Sequence, residues 1–113
     1  MRFAFVIAAA AAASGLGAIS LATPAEAKPA RCFTTDDGYF NCDFKGLDSA
    51  GSFQISGRGY PTYTLEVDRP GFAFGYVDLG TGRTIPLPGQ FVRQRDDTAC
   101  WANPETDVKI CAW

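Results

Sequence analysis

Histidine is absent from this sequence. That removes the commonest general base at neutral pH and the usual partner of a serine or cysteine nucleophile. Also missing is any Cys-x-x-Cys pair, so neither a mixed nor an all-cysteine zinc site has the spacing it needs. Charge of one sign is not in excess either: ten Lys and Arg stand against twelve Asp and Glu, a net charge of −2. A nucleic-acid binder would show a basic stripe, and electrostatic attachment to an anionic membrane would need one too. Beyond the first 27 residues no apolar repeat of helical period occurs, which excludes a helical bundle.

What is present begins with a leader. Met1-Arg2 is followed by an apolar, small-residue run from Phe3 to Ala13, then by Ser14, Gly15 and an Ala25-Glu26-Ala27 ending. One positive charge, a short hydrophobic region and an Ala-x-Ala terminus are the parts of a secretory signal peptide, and its alanine-rich character is that of a bacterial export signal. Gly15, Gly17, Ser20, Thr23 and Pro24 interrupt the segment before a span of ~20 apolar residues is reached, so a membrane anchor is not expected. We therefore expect cleavage after Ala27, a secreted or periplasmic location, and one domain over residues 28–113 without stable membrane insertion.

All four cysteines fall in that domain, as two local pairs. In an exported chain an even count reads as a disulfide framework, and hairpin geometry selects among the three possible connectivities. Placing Cys32 opposite Cys42 puts Thr35 opposite Tyr39 and leaves Asp36-Asp37-Gly38 as a three-residue loop with glycine at its left-handed position. Placing Cys100 opposite Cys111 pairs Trp101 with Ile110 and Asn103 with Val108, leaving a loop that starts at Asn103-Pro104, a good type I turn. Each bridge closes a short loop worth roughly 3 kcal/mol in the chain-entropy account.

Between the clips, Tyr63, Leu65 and Val67 alternate with Thr64, Glu66 and Asp68, and Phe72, Phe74 and Tyr76 alternate after Arg69-Pro70-Gly71. The pattern predicts a β-hairpin with Pro70-Gly71 as its loop, Val67 facing Phe74 and Leu65 facing Tyr76, all on one core face. Phe53 to Ser56 and Gln90 to Arg95 read as further short strands. The Ile85-Pro86-Leu87-Pro88 segment, with two residues that cannot donate ladder hydrogen bonds, reads as an edge strand or an extended connection. The expected fold is all-β: a small antiparallel meander, sandwich or barrel, of about eight short strands.

Catalytic groups are few. Asp36 with Asp37 and Asp96 with Asp97 are adjacent pairs in predicted turns, where carboxylates cap backbone amides. A glycosidase would hold its two carboxylates across a cleft, ~5–9.5 Å apart, and neither pair carries the twelve-residue calcium-loop pattern with its bidentate glutamate. A carboxylate-dependent hydrolase remains an alternative, but the reading favoured here is a non-enzymatic binding or interaction domain without cofactor or metal. Its partner would be a protein or a cell-envelope glycan. The side chains suited to recognition are Arg58, Tyr60, Arg93, Arg95 and Trp113, since arginine and large aromatics dominate interfaces; on a strand, Arg93 and Arg95 share a face with Phe91.

The Tyr39-Phe40-Asn41-Cys42 segment, the Ser56-Gly57-x-x-Tyr60 segment and a cysteine near the end resemble features of the periplasmic lysozyme inhibitors of the MliC type. That resemblance implies an antiparallel β-barrel whose Ser-Gly-x-x-Tyr loop, here Ser56 to Tyr60, enters a lysozyme cleft. More broadly the sequence is similar to small exported bacterial proteins of unknown function, which implies no particular activity.

Overall fold

The computed structural model describes residues 26–113; the leader expected over residues 1–27 lies, but for its last two residues, outside the described part. Nine strand segments follow one another: β1 (Lys28–Thr34), β2 (Gly38–Gly46), β3 (Phe53–Ser56), β4 (Thr62–Arg69), β5 (Phe72–Asp78), β6 (Ile85–Pro86), β7 (Phe91–Arg93), β8 (Cys100–Ala102) and β9 (Lys109–Ala112). No helix occurs among the described residues. Every pairing is antiparallel, and strands pair with their neighbours in sequence, except that β6 and β7 both pair with β5, until β9 returns to β1 and closes the sheet. The short β6 and β7 lie along the same edge of β5, so together they are one interrupted strand of an eight-stranded barrel.

Alternation sets what is inside. Cys32, Phe40, Cys42, Phe53, Ile55, Leu65, Phe91, Trp101 and Ile110 form the buried core, and closing the sheet leaves an interior just wide enough for side chains to fill. Phe91 takes the central position with no exposed surface. It does so because its neighbours on the adjoining strand β5 are small: Ala73, its direct partner, is fully buried, and a Cβ on Gly75 would stand 2.6 Å from a Phe91 ring carbon.

This space requirement overturns the register expected for the central hairpin. Val67 pairs with Ala73, Leu65 with Gly75 and Tyr63 with Val77, while Phe74 stands opposite Glu66 and Tyr76 opposite Thr64. A bulge between Val67 and Arg69 accounts for the one-residue slip, which moves a whole side-chain set to the other face. The aromatic set therefore lies outside, with Phe74 42% exposed. Three large rings would have overfilled the space that Phe91 occupies.

Both expected disulfides are present, Cys32–Cys42 and Cys100–Cys111, and no described cysteine is free. Their settings differ. Cys100 and Cys111 are directly paired, as the second hairpin predicted, with Trp101 opposite Ile110. Cys32 instead pairs with Phe40 and Cys42 with Ala30, so the first bridge runs diagonally over a Cα separation of 5.9 Å. The turn explains the difference. Thr34 lies opposite Gly38, and the Asp37 N–H donates to the Thr34 hydroxyl at 3.0 Å, so Thr35-Asp36-Asp37 is the loop and Gly38 takes the left-handed position with φ 75°. Both cysteines keep their inward face because the register moves by an even number of residues.

The interruption between β6 and β7 is pinned by Asn103. Its amide donates to the Pro88 carbonyl at 2.6 Å while its Oδ1 accepts from the Glu105 N–H at 2.9 Å. Gly89, at φ 79°, passes so close to that amide that a Cβ would stand 2.7 Å from Oδ1. Sequence patterning anticipates the Asn103-Pro104 turn but not this second bond, which only the folded barrel brings about.

The inward position of Gly75 makes the substitution costs asymmetric. Gly75→Ala is expected to lower unfolding free energy by about 1–3 kcal/mol through overpacking against Phe91, and Phe74→Ala by less, since its ring is already half in water. Urea denaturation of the two variants checks this; a larger loss for Phe74→Ala would contradict the register.

Candidate functional site at the barrel mouth

The two ends of the barrel differ. At one end, the turns at residues 35–37, 57–61 and 103–108 meet over packed side chains. The Tyr63 hydroxyl donates to Asp37 Oδ2 at 2.7 Å, and the Thr34 hydroxyl donates to the same oxygen at 2.7 Å. Both Thr34 and Tyr63 are buried, so these bonds replace water that neither hydroxyl can reach. Burial, reinforced by the Asp37 carboxylate, pushes the Tyr63 phenol well above its ordinary value. Tyr60 stacks on Phe40 with ring centroids 4.2 Å apart and closes the same end.

The opposite end is open. A cavity of about 610 Å3 enters it, within the ~300–1,000 Å3 range typical of small-ligand sites. Its wall is built from Phe44, Phe53, Val67 and Ala112, with the buried Trp101 as floor. The Phe44 and Phe53 rings lie 5.2 Å apart at an interplanar angle of 21°. Arg69, Asp68 and Arg93 also line it.

Local chemistry fixes the loops around this mouth. Asp48 Oδ1 accepts from the Ala50 and Ser52 N–H groups, each at 3.0 Å, and shapes the connection between β2 and β3. Hydrogen bonds from Ser52, side chain and backbone, hold the Asp48 carboxyl below its ordinary range. Ser52 Oγ in turn accepts from the Val67 N–H at 2.8 Å and ties that loop to β4. Between β7 and β8, Asp97 accepts from the Ala99 N–H at 3.1 Å and from the Trp113 indole at 2.9 Å. The carboxylates of Asp48 and Asp97 are thus engaged by N–H donors.

The arginines are held differently. Arg93 pairs with Trp101 across β7 and β8, its guanidinium carbon 5.6 Å from the centre of the indole. Its Nε donates to the Thr98 carbonyl at 2.8 Å. Arg69 lies over the Phe72 ring at 3.7 Å, within cation–π range, and approaches Asp68 only at 3.9 Å. The Arg93 N–H bonds the Gly71 carbonyl at 2.9 Å, so the two arginines emerge from adjoining backbone.

Of the five residues expected from sequence, the structure places only Arg93 in the cavity wall. Arg95 is exposed on the neighbouring loop without lining it, while Arg58 and Tyr60 sit at the closed end. Trp113 lies on the outer wall. Its N–H bonds the Arg31 carbonyl at 2.9 Å, and its ring stacks 6.0 Å from Tyr39. The expected recognition residues therefore do not form one patch. Arg69 and Trp101 were not singled out in the sequence. The legible signs were an arginine immediately before Pro70-Gly71 and a tryptophan next to a bridged cysteine, neither specific to a ligand site.

Compared with protein-family models, with curated proteins and with solved structures, the chain matches none.

Tyr63 gives a pH signature. A phenol whose proton is held more tightly in the folded state contributes stability in full below its unfolded value near pH 10, and loses it as pH rises above that value. Tyr63→Phe should therefore flatten the alkaline fall in stability and cost about 1–2 kcal/mol at neutral pH. Chemical denaturation between pH 7 and 11 measures both; identical alkaline slopes for the two proteins would contradict the assignment.

Proposed function

We propose that this protein is an exported, non-catalytic binding module that receives a small, largely apolar ligand in the mouth of its barrel. The observation that carries this reading is the difference between the two ends: one plugged by Tyr60, Phe40 and the Tyr63–Asp37 bond, the other opening onto Trp101 through walls of Phe44, Phe53 and Val67. Small-ligand sites are concave, mostly apolar and supplied with a few fixed polar groups, and mouths of β-barrels are among the places where they occur. This makes the proposal narrower than an unspecified protein or glycan partner.

The non-catalytic part is supported by what the carboxylates do. Asp48, Asp78 and Asp97 each accept backbone N–H bonds within turns, and Asp37 binds two hydroxyls at the closed end. Export is supported by the leader-like segment and by two disulfides in a domain of this size, which fit an oxidising compartment.

A neutral fluorescent probe tests the reading. N-phenyl-1-naphthylamine should bind saturably with enhanced emission, and Ala50→Trp, an exposed loop position lining the cavity, should weaken binding at least roughly tenfold by filling the mouth. Circular dichroism checks that the variant folds. Absence of saturable binding, or unchanged binding by a folded Ala50→Trp protein, would overturn the proposal.

A further inference from the structure

The outer wall carries a second cluster, built on the barrel seam and apart from the mouth. Across β2, β1, β9 and β8 the register sets Tyr39 beside Phe33, Phe33 beside Cys111 and Cys111 beside Cys100. These side chains face outward, because Phe40, Cys32, Ile110 and Trp101, next to them in the chain, take the inward positions. Even so, Cys100 and Cys111 are only 2% and 1% exposed. On that face the bridge is flanked by Phe33, opposite Cys111, and by Trp113, two residues beyond it, so both rings stand on a covalently fixed base.

Above that base the contacts join up. The Phe33 and Tyr39 centroids are 4.8 Å apart, and the Tyr39 and Trp113 centroids 6.0 Å apart with 24° between their planes. At that separation the Tyr39 and Trp113 rings are offset rather than pressed face to face, and each keeps part of its surface free. Tyr39 is 62% exposed and Trp113 49%. Asp97 accepts from the Trp113 indole at 2.9 Å and fixes its orientation, while the Arg31 guanidinium stands 5.7 Å from the Tyr39 centroid. Asn41 pairs with Arg31 across β1 and β2, and both are exposed. None of these residues lines the mouth cavity.

Two offset aromatic faces are thus framed by one cation, Arg31, and one anion, Asp97, whose charges sum to zero. That balance suits a neutral ligand with apolar faces and a rim of hydroxyls, each of which both donates and accepts. A pyranose ring with equatorial substituents has this build: its axial C–H groups form the apolar face and its hydroxyls the rim. The small tilt between the aromatic planes selects further. Consecutive sugar units must keep nearly parallel faces, as in the flat ribbon of β-1,4-linked glucose or N-acetylglucosamine, whereas α-1,4 linkage turns each unit away from the last. A protein partner fits less well, because charged side chains are depleted at the centre of protein interfaces. We propose that the outer wall at the seam binds a β-1,4-linked glycan strand, with consecutive pyranose units on Tyr39 and Trp113 and their hydroxyls bonded by Arg31, Asn41 and Asp97. The site is separate from the mouth, and its test does not depend on the ligand proposed there.

Titration of the isotope-labelled, oxidised domain with cellohexaose, chitohexaose and maltohexaose, followed by nuclear magnetic resonance, tests this. The chain has two tryptophans, and Trp113→Phe assigns their indole N–H signals. The β-linked probes should shift the Trp113 signal saturably and leave that of Trp101 in place, and maltohexaose should bind at least roughly tenfold more weakly. Tighter binding of cellohexaose or of chitohexaose names the preferred unit, and either supports the proposal. Tyr39→Ala, which removes a ring already mostly in water, should weaken binding at least roughly tenfold while circular dichroism stays native. Arg31→Gln should weaken it less, and Ala50→Trp, which fills the mouth, should leave it unchanged. Absence of a saturable shift with both β-linked probes, equal binding of maltohexaose, or unchanged binding by a folded Tyr39→Ala protein would each overturn the proposal. Movement of the Trp101 signal alone would place the sugar in the mouth and overturn it as well. A dimer on sedimentation that Tyr39→Ala dissociates would assign the platform to a second copy of the chain, with the same consequence.

Discussion

The pairing of β1 with β9 is the interaction on which the structure depends. Every other pairing joins segments adjacent in the chain order or, for β5 with β7, separated by the short β6 alone, whereas this one sets Phe33 against Cys111 and Cys32 against Ala112. Its closure entropy is the largest in the fold, although that cost grows only slowly with loop length. Both disulfides lie in the hairpins that flank the seam, one in β1–β2 and the other in β8–β9. Each bridge thus restricts a hairpin that must present its free edge to the other. Covalent stapling at these two places also suits a small domain, whose single core supplies only a modest margin of stability.

Closure dictates the rest of the packing. An open sheet could have placed Phe72, Phe74 and Tyr76 on its covered face, whereas a closed barrel of this width must give that space to one ring, Phe91, set against Ala73 and Gly75. The bulge between Val67 and Arg69 reconciles β4 with this demand. It also lies beside the mouth, at the turn that carries Arg69 and Asp68 into the cavity wall. One irregularity therefore sends the aromatic set outward, with Arg69 lying over its Phe72, and sets Arg69 and Asp68 beside the opening, which links the packing of the core to the make-up of its entrance.

Much of the fold was legible in the sequence because it is local. Alternation marked the strands, the cysteine spacing marked both bridges, and the Asn103-Pro104 turn gave the correct pairing of Cys100 with Cys111. Two registers were not legible. Thr34, Asp37 and Gly38 can form a turn around either of two loops, and the choice depends on contacts such as the Tyr63 hydroxyl, which comes from a distant strand. In the central hairpin the apolar pattern contains large rings on one parity and Ala73, Gly75 and Val77 on the other. Which set turns inward depends on Phe91, more than a dozen residues downstream. The candidate site was hidden for the same reason: Phe44, Val67 with Arg69, Arg93 and Trp101 come from four separate strands and meet only when the sheet closes.

A nuclear Overhauser spectrum of the oxidised domain is the most direct measurement of that closure. The account predicts cross-strand contacts between the Phe33 and Cys111 backbones, together with contacts from the Gly75 α-protons to the Phe91 ring. Contacts from the Phe74 and Tyr76 rings to Leu65 and Val67 instead, with none joining Phe33 to Cys111, would show an open sheet and contradict it.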